Sequence, residues 1–361
     1  MIVQGLCPSR FSAVQDVLAQ SLDQGDDLGA GVSVAIDGEL LVDLRGGYRD
    51  RQKTAPFDDT LVCIYSVGKA VTAALVMKAV AAGHLEYDAP LATLWPEFGE
   101  TGKSGITLAE ALSHQAGLAA FTEEIDTALW LDHHAIAHRL AAMAPLWPPG
   151  TQNGYHPQTI GFIINEIMRR ATGKMLGTHL RDMETDIHCG LTDENLARVG
   201  PMVKPPAPPD LGEITQLKKA AFLSKWSSAG GAPREAWIRA EIPSSNMHGT
   251  SGSLAQLMQL FVSDHHQVTK AIQNEALKER IQGDDLVLPF HLSWAAGLMK
   301  NTNHILGPSP TALGHYGFGG ACVLVDPAHR LSFAYVPNKM SPALVADPRA
   351  LLLLQVVYDA L

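Results

Sequence analysis

The 361-residue chain has no uncharged apolar run of membrane-spanning length and no cluster of lysine and arginine. The first absence speaks against a membrane partner. The second, with 27 basic against 37 acidic side chains and a net charge of −10, speaks against nucleic acid, whose phosphates need a concentrated basic surface. Cysteine is scarce: Cys7, Cys63, Cys189 and Cys322 stand far apart with no C-x-x-C, which disfavours a zinc ribbon and a dense disulfide frame and suits a reducing compartment. The opening residues Met1-Ile2-Val3-Gln4-Gly5-Leu6-Cys7 lack the basic start and long apolar stretch of a secretory leader. The expectation is a cytoplasmic protein that acts on a small molecule, with its oligomeric state left open.

Metal signatures are missing as well, since neither H-E-x-x-H nor H-x-H-x-D-H occurs. His134 and His138 share a helix face at i,i+4, but no third ligand accompanies them at a recognisable spacing. No metal and no other cofactor is expected.

What the chain does have is material for a large core. Hydrophobic residues make up 46% and charged residues 18%, enough for two closely packed lobes. Phe11, Val14, Val17, Leu18 and Leu22 recur at helical spacing and predict a helix ending near Gly25. Two β-rich runs then flank Asp37-Gly38, the pair that most strongly signals a hairpin. Thr107 is placed to cap a helix over 108–112, residues 123–143 read as helical, and Pro157 marks the start of a helix carrying Ile160, Ile163, Ile164 and Ile167. The proline-rich stretch 200–210 reads as an extended loop, either a spacer or a rim of a pocket, and helix resumes over 211–226 and 254–261. Strands are predicted over 292–299, 322–325 and 331–336, with a closing helix over 351–361.

Strands at both ends imply an α/β (α+β) fold: one antiparallel sheet from residues 1–62 and 290–361, flanked by the terminal helices, with a large helical lobe inserted over 63–289. A pocket at the seam between them is expected.

The stretch at that seam is Tyr65-Ser66-Val67-Gly68-Lys69, the only S-x-x-K in the chain. A chain of this length holds about one such pattern by chance, so its placement matters more than its presence. It follows the apolar run Leu61 to Ile64 and opens the apolar segment from Ala70, where a solvated lysine is unexpected. At the start of a helix, Ser66 and Lys69 lie one turn apart on one face. A desolvated lysine can take the serine proton, and the free N–H groups of a helix start can receive an oxyanion.

Further along lie Leu112-Ser113-His114-Gln115-Ala116-Gly117-Leu118, then Pro149-Gly150-Thr151 ahead of Tyr155, then His315-Tyr316-Gly317 before a terminal strand. In this order they resemble the serine β-lactamase and penicillin-binding-protein superfamily, in particular class C β-lactamase-like proteins and family VIII carboxylesterases. The resemblance spans nearly the whole chain. It implies Ser66 as the acylated nucleophile, Lys69 and Tyr155 as the proton shuttle, and the backbone N–H groups of Ser66 and Phe318 as the oxyanion hole. It also puts His156, His315 and Gly317 against the substrate.

Two motifs depart from the family. Tyr155-His156-Pro157 stands where Y-x-N is usual, and His315-Tyr316-Gly317 where K-T-G is usual, so an amide and a permanent positive charge are missing. Both departures weaken recognition of β-lactams and leave acyl transfer intact. The expected activity is hydrolysis of short-chain carboxylic esters. The alternatives are a β-lactamase or D-amino-acid amidase, and a catalytically idle binding protein of the same fold.

Overall fold

A computed structural model describes residues 2–264 and 267–361. The first helix, α1 (Ser12–Gln24), buries Val14, Leu18 and Leu22 at four-residue spacing and stops where Gly25 turns left-handed at φ 77°. Strands β2 (Gly29–Ile36) and β3 (Glu39–Gly47) follow as a hairpin. Its turn holds Asp37 at φ 54° and Gly38 at φ 86°, the double left-handed conformation that an Asp-Gly pair tolerates best.

These strands belong to a nine-stranded antiparallel sheet. Beside β2 and β3 it contains β1 (Val3–Leu6), which pairs with β3 at one edge. Its other members come from the end of the chain: β7 (Ile281–Asp284), β8 (His291–Trp294), β9 (Met299–Lys300), β10 (Leu313–Tyr316), β11 (Cys322–Asp326) and β12 (Leu331–Pro337). The strand order β1-β3-β2-β12-β11-β10-β9-β8-β7 joins the two ends of the chain through β2 and β12. A second, three-stranded sheet of β4 (Val62–Cys63), β6 (His248–Gly249) and β5 (Ile187–His188) lies within the helical part. The strand β7 falls before residue 290, so the expected boundary cuts through the large sheet.

Both faces of that sheet are covered. One apolar cluster joins α1 and the C-terminal helix Pro348–Asp359 to Val32, Val34, Phe333 and Tyr335; the other joins the opposite face to the helical lobe. At the centre of the lobe is α2 (Val67–Ala81), buried on all sides and packed on β10, β11 and α5 (Thr159–Thr172). Burying one valine or leucine side chain contributes about 1.5–3 kcal/mol, so the many buried side chains of α2 make it a rigid base for whatever its first turn carries. Among the described residues no helix is long and apolar enough to cross a membrane.

Several expected elements differ in extent. The strand expected over 292–299 is two short strands, β8 and β9, joined by a turn in which Gly297 adopts φ 89°. A Cβ there would sit 2.7 Å from the Ala73 methyl of α2, so the sheet turns where it meets that helix. Residues 123–143 form a short 3-10 turn, Thr127–Leu131, and then the helix His133–Ala142, because Asp132 caps the second piece by accepting the Ala135 N–H. Over 211–226 regular helix is confined to Gln216–Lys218 and one wide turn, Lys219–Leu223. The helix expected from Pro157 starts at Thr159, and the Pro157 carbonyl has another use, described below.

Candidate active site

Ser66 sits on a sharp turn between β4 and α2. The Ile64 N–H is held by the Met247 carbonyl at 2.9 Å, and Tyr65 then takes φ 46°, a left-handed conformation that costs a non-glycine residue about 1–3 kcal/mol. That bend aims Ser66 away from the strand at the head of the helix. The Tyr65 ring meets Phe318 edge-on, with centroids 5.9 Å apart.

One turn on, Lys69 is 4% exposed. Its Nζ lies 3.1 Å from Ser66 Oγ, 2.9 Å from the Pro157 carbonyl and 3.1 Å from the Ser244 carbonyl. Among the described residues no carboxylate pairs with it, and burial holds its pKa well below the ordinary lysine value. A neutral amine has two N–H donors and one lone pair. The two carbonyls take the donors, which leaves the lone pair for the Ser66 hydroxyl.

Tyr155 closes the group from a loop without regular secondary structure. Lys69 Nζ lies 4.7 Å from its ring centroid, and Tyr155 lines the same cavity as Ser66. Burial pushes the phenol pKa up, so it stays protonated. The ring packs on Trp294 (6.0 Å, nearly parallel) and edge-on to His114 (4.8 Å). The segment Ser113 to Leu118 is the bed of this loop: the His114 carbonyl accepts the Gly154 N–H at 3.0 Å, and His114 Nδ1 accepts the His156 N–H at 3.2 Å.

The other expected site residues fall into two groups. Ser66, Tyr155 and His315 line a cavity of about 650 Å³, together with Phe318. His315 is fully buried; its Nδ1 donates to the Tyr316 carbonyl at 2.7 Å, while among the described residues its Nε2 has no partner. Burial pushes its pKa down to about 3, so it offers a lone pair and no charge. His156 does not line the cavity. Its Nδ1 donates to the Gly154 carbonyl at 2.6 Å and its Nε2 accepts the Leu118 N–H at 2.9 Å, which uses both ring nitrogens to tie the loop to its bed. The expectation that His156 meets substrate is thereby corrected: it is an internal tie.

Gly317 also stays out of the cavity wall. A Cβ on it would lie 2.2 Å from the Ile64 carbonyl oxygen, so the glycine lets β10 press directly against the turn that carries Ser66. That approach brings Phe318 into the same cavity wall as Ser66. Among the described residues nothing within the protein takes up the N–H of Ser66 or of Phe318.

Sequence reasoning missed three supports: the Ser244 carbonyl on Lys69, Trp294 under Tyr155, and Asp285, whose Oδ1 accepts the Tyr155 N–H at 2.9 Å. Each comes from far along the chain, and no local pattern marks it. The proline-rich stretch, by contrast, supplies Pro208 and Pro209 to the cavity wall, as the rim reading of 200–210 expects. Away from the cavity, His133 rather than His134 or His138 is the member of that helix's histidines hydrogen-bonded to a carboxylate, at 3.1 Å from Glu166 Oε2. His133, His134 and Glu166 each bring a ligand atom within 4.8 Å of the others. Arg169 and Arg170 already hold both Glu166 oxygens at 2.7–2.9 Å, so a cation there would compete with two guanidinium groups.

The sequence profile of the family described as Beta-lactamase matches residues 14–357. A penicillin-binding-protein homologue from Caulobacter crescentus is similar over the full length of both chains, at 44% identity and a TM-score of 0.95. A structure of a family VIII carboxylesterase is similar over the full length of both chains as well, at 31% identity and a TM-score of 0.92. The protein called esterase/beta-lactamase LipL, from Mycobacterium tuberculosis, is 28% identical over 380 residues, covering 96% of this chain and 85% of LipL.

Proposed function

The chain belongs to the beta-lactamase family, and from that premise we propose that it is a serine hydrolase that cleaves carboxylic esters through an acyl-enzyme on Ser66. The observation that carries this reading is the buried Lys69 amine, its pKa held down by burial, 3.1 Å from Ser66 Oγ and within hydrogen-bond distance of the Pro157 and Ser244 carbonyls. Ser66 Oγ attacks the ester carbonyl as its proton passes to Lys69. The oxyanion is received by the Ser66 and Phe318 N–H groups, and loss of one such donor typically costs about a hundredfold or more in rate. The proton then reaches the leaving alkoxide through Tyr155, the alcohol departs, and the acyl group stays on Ser66. Water repeats the sequence: its proton goes to the same pair, the acid is released, and Ser66 regains its hydrogen.

Esters are favoured over β-lactams by the neutral His315, which gives a substrate carboxylate no opposite charge. The family VIII carboxylesterase supports the ester reading. The name of LipL, which couples esterase with beta-lactamase, keeps β-lactam hydrolysis as the second reading. Turnover of p-nitrophenyl butyrate and of a chromogenic cephalosporin by the native protein separates the two. The expected result is rapid ester turnover, with an acyl mass on the Ser66 peptide after acid quench, and a nearly inert cephalosporin. A cephalosporin turned over faster than the ester would make the β-lactamase reading the better one. No label on Ser66 with either substrate would return the chain to the idle binding protein.

The pH profile follows from the same groups. Lys69 accepts a proton only when neutral, so kcat/KM falls as pH drops through its lowered pKa and is flat above it. His156 and His315, both pushed down to about 3 by burial, and His114, also lowered by burial, stay uncharged over the working range. The pH profile of ester kcat/KM is therefore expected to show one acid limb, unchanged in position by His315→Gln. A limb that disappears in that variant would assign the titration to the histidine.

A further inference from the structure

Asp285 is a buried carboxylate, 7% exposed, and among the described residues no cation pairs with it. Four N–H donors hold it. Oδ1 accepts the backbone N–H of Tyr155, Val287 and Leu288, each at 2.9 Å, and Oδ2 accepts Asn153 Nδ2 at 2.9 Å. Burying a charge without a counter-ion is costly unless its oxygens are bonded, and here every bond runs to one of two loops. One loop carries Tyr155. The other carries Leu288, part of the cavity wall.

The arrangement around Tyr155 gives this carboxylate a specific task. The neighbouring backbone is fixed by His114, which takes the Gly154 and His156 N–H groups, and by the Leu286 N–H, which donates to the Asn153 carbonyl at 3.1 Å. The Tyr155 N–H itself goes to Asp285. The groups facing the Tyr155 side chain are Ser66 and Lys69 from α2, His315 from β10, and His114 and Trp294, whose rings pack against it. Of these only His114 also holds backbone, and it holds that of Gly154 and His156; the N–H of Tyr155 itself is held by Asp285.

We propose that Asp285 is the positioning residue of Tyr155: by gathering the Tyr155 N–H, the Asn153 amide and two N–H groups of its own loop on one carboxylate, it sets the approach of the phenol to Ser66. The inference rests on the serine-hydrolase reading above. A displacement of about 1 Å in such a group can cost about a hundredfold, so the anchor is worth a buried charge.

The test is a double-mutant cycle read on phosphonylation of Ser66 by a fluorophosphonate probe, which needs an activated serine and no particular ester. Asp285→Ala is expected to lower kinact about tenfold or more with KI within about threefold of native. Asp285→Asn, whose Oδ1 still accepts the three backbone N–H groups, is expected to stay within about threefold of native. In a Tyr155→Phe background, Asp285→Ala is expected to change kinact by less than about twofold, because the group it acts through is gone. Equal losses in both backgrounds, or a loss confined to KI, would mean that Asp285 supports the fold at large and would overturn the proposal. Should Asp285→Ala fail to fold by circular dichroism, Asp285→Glu goes through the same cycle, since it keeps the charge but moves the carboxylate one methylene onward. Turnover of p-nitrophenyl butyrate by the native protein is followed alongside. A labelled Ser66 without ester turnover counts against the ester reading alone, and an unlabelled native protein counts against both.

Discussion

Ser66→Ala and Lys69→Met are each expected to lower ester turnover by roughly 10⁴-fold or more, and the double variant is expected to fall little further, as for groups that act as one unit. The serine hydroxyl is a weak nucleophile until its proton has somewhere to go. In the proposed mechanism Lys69 supplies that place: burial lowers its pKa, and the two carbonyls take N–H donors so that a neutral amine turns its lone pair toward Ser66 Oγ. Methionine fills the same space without a lone pair of useful basicity. It leaves the Pro157 and Ser244 carbonyls short of a donor, at about 1–3 kcal/mol each, while it removes the cost of burying an amine. Folding stability should therefore change far less than activity, and a thermal melt beside the p-nitrophenyl butyrate assay separates the two. Lys69→Arg is expected to be as inactive as Lys69→Met, because a guanidinium stays protonated and cannot accept the Ser66 proton. An arginine variant with more than about 1% of native kcat would show that charge, and not basicity, is what position 69 supplies.

The parts of this site that were legible in the sequence are those fixed by local geometry. Ser66 and Lys69 are three residues apart, and helical spacing alone places them together. The Asp37-Gly38 turn, the Thr107 cap with its Glu110 partner and the Gly25 stop are local in the same sense. Local pattern gave only a loop for Tyr155; its place beside Ser66 follows from contacts with Trp294 and Asp285, more than a hundred positions away. His156 shows the limit most clearly. A histidine next to the tyrosine looks available to substrate, and only the fold reveals that Leu118 has claimed its second nitrogen. Edge strands were missed for a related reason: Val3-Gln4-Gly5-Leu6 and Ile281-Gln282-Gly283-Asp284 carry too little alternation to signal a strand, and pairing with β3 and β8 makes them so. The cavity volume is likewise a product of the assembled walls. Residues from the 200–245 excursion, among them Pro208, Phe222 and Trp237, enclose about 650 Å³ together with β10, more room than a short acyl chain fills.

Tyr155→Phe is expected to lower kcat for p-nitrophenyl butyrate by about a hundredfold to a thousandfold with KM within about threefold, the range for loss of one general acid–base group. The ring and its packing on Trp294 and His114 survive the change, so the fold and the cavity wall should too. What is lost is the phenol on Ser66, and its protonation state decides what that loss means. Burial raises its pKa and the Asp285 carboxylate raises it further, opposed by the nearby Ser66 hydroxyl. The group therefore remains a phenol across the working range, and in the proposed mechanism it is a relay: it gives a proton to the leaving alkoxide as it draws one from Lys69. A tyrosinate base would give an alkaline rise in rate that Tyr155→Phe removes. A relay gives no such rise, and the variant keeps the acid limb set by Lys69 at a lower plateau. Observing a parallel, lowered profile would fix the division of labour between the two groups, with Lys69 as the base and Tyr155 as the carrier; a profile that changes shape would reverse it.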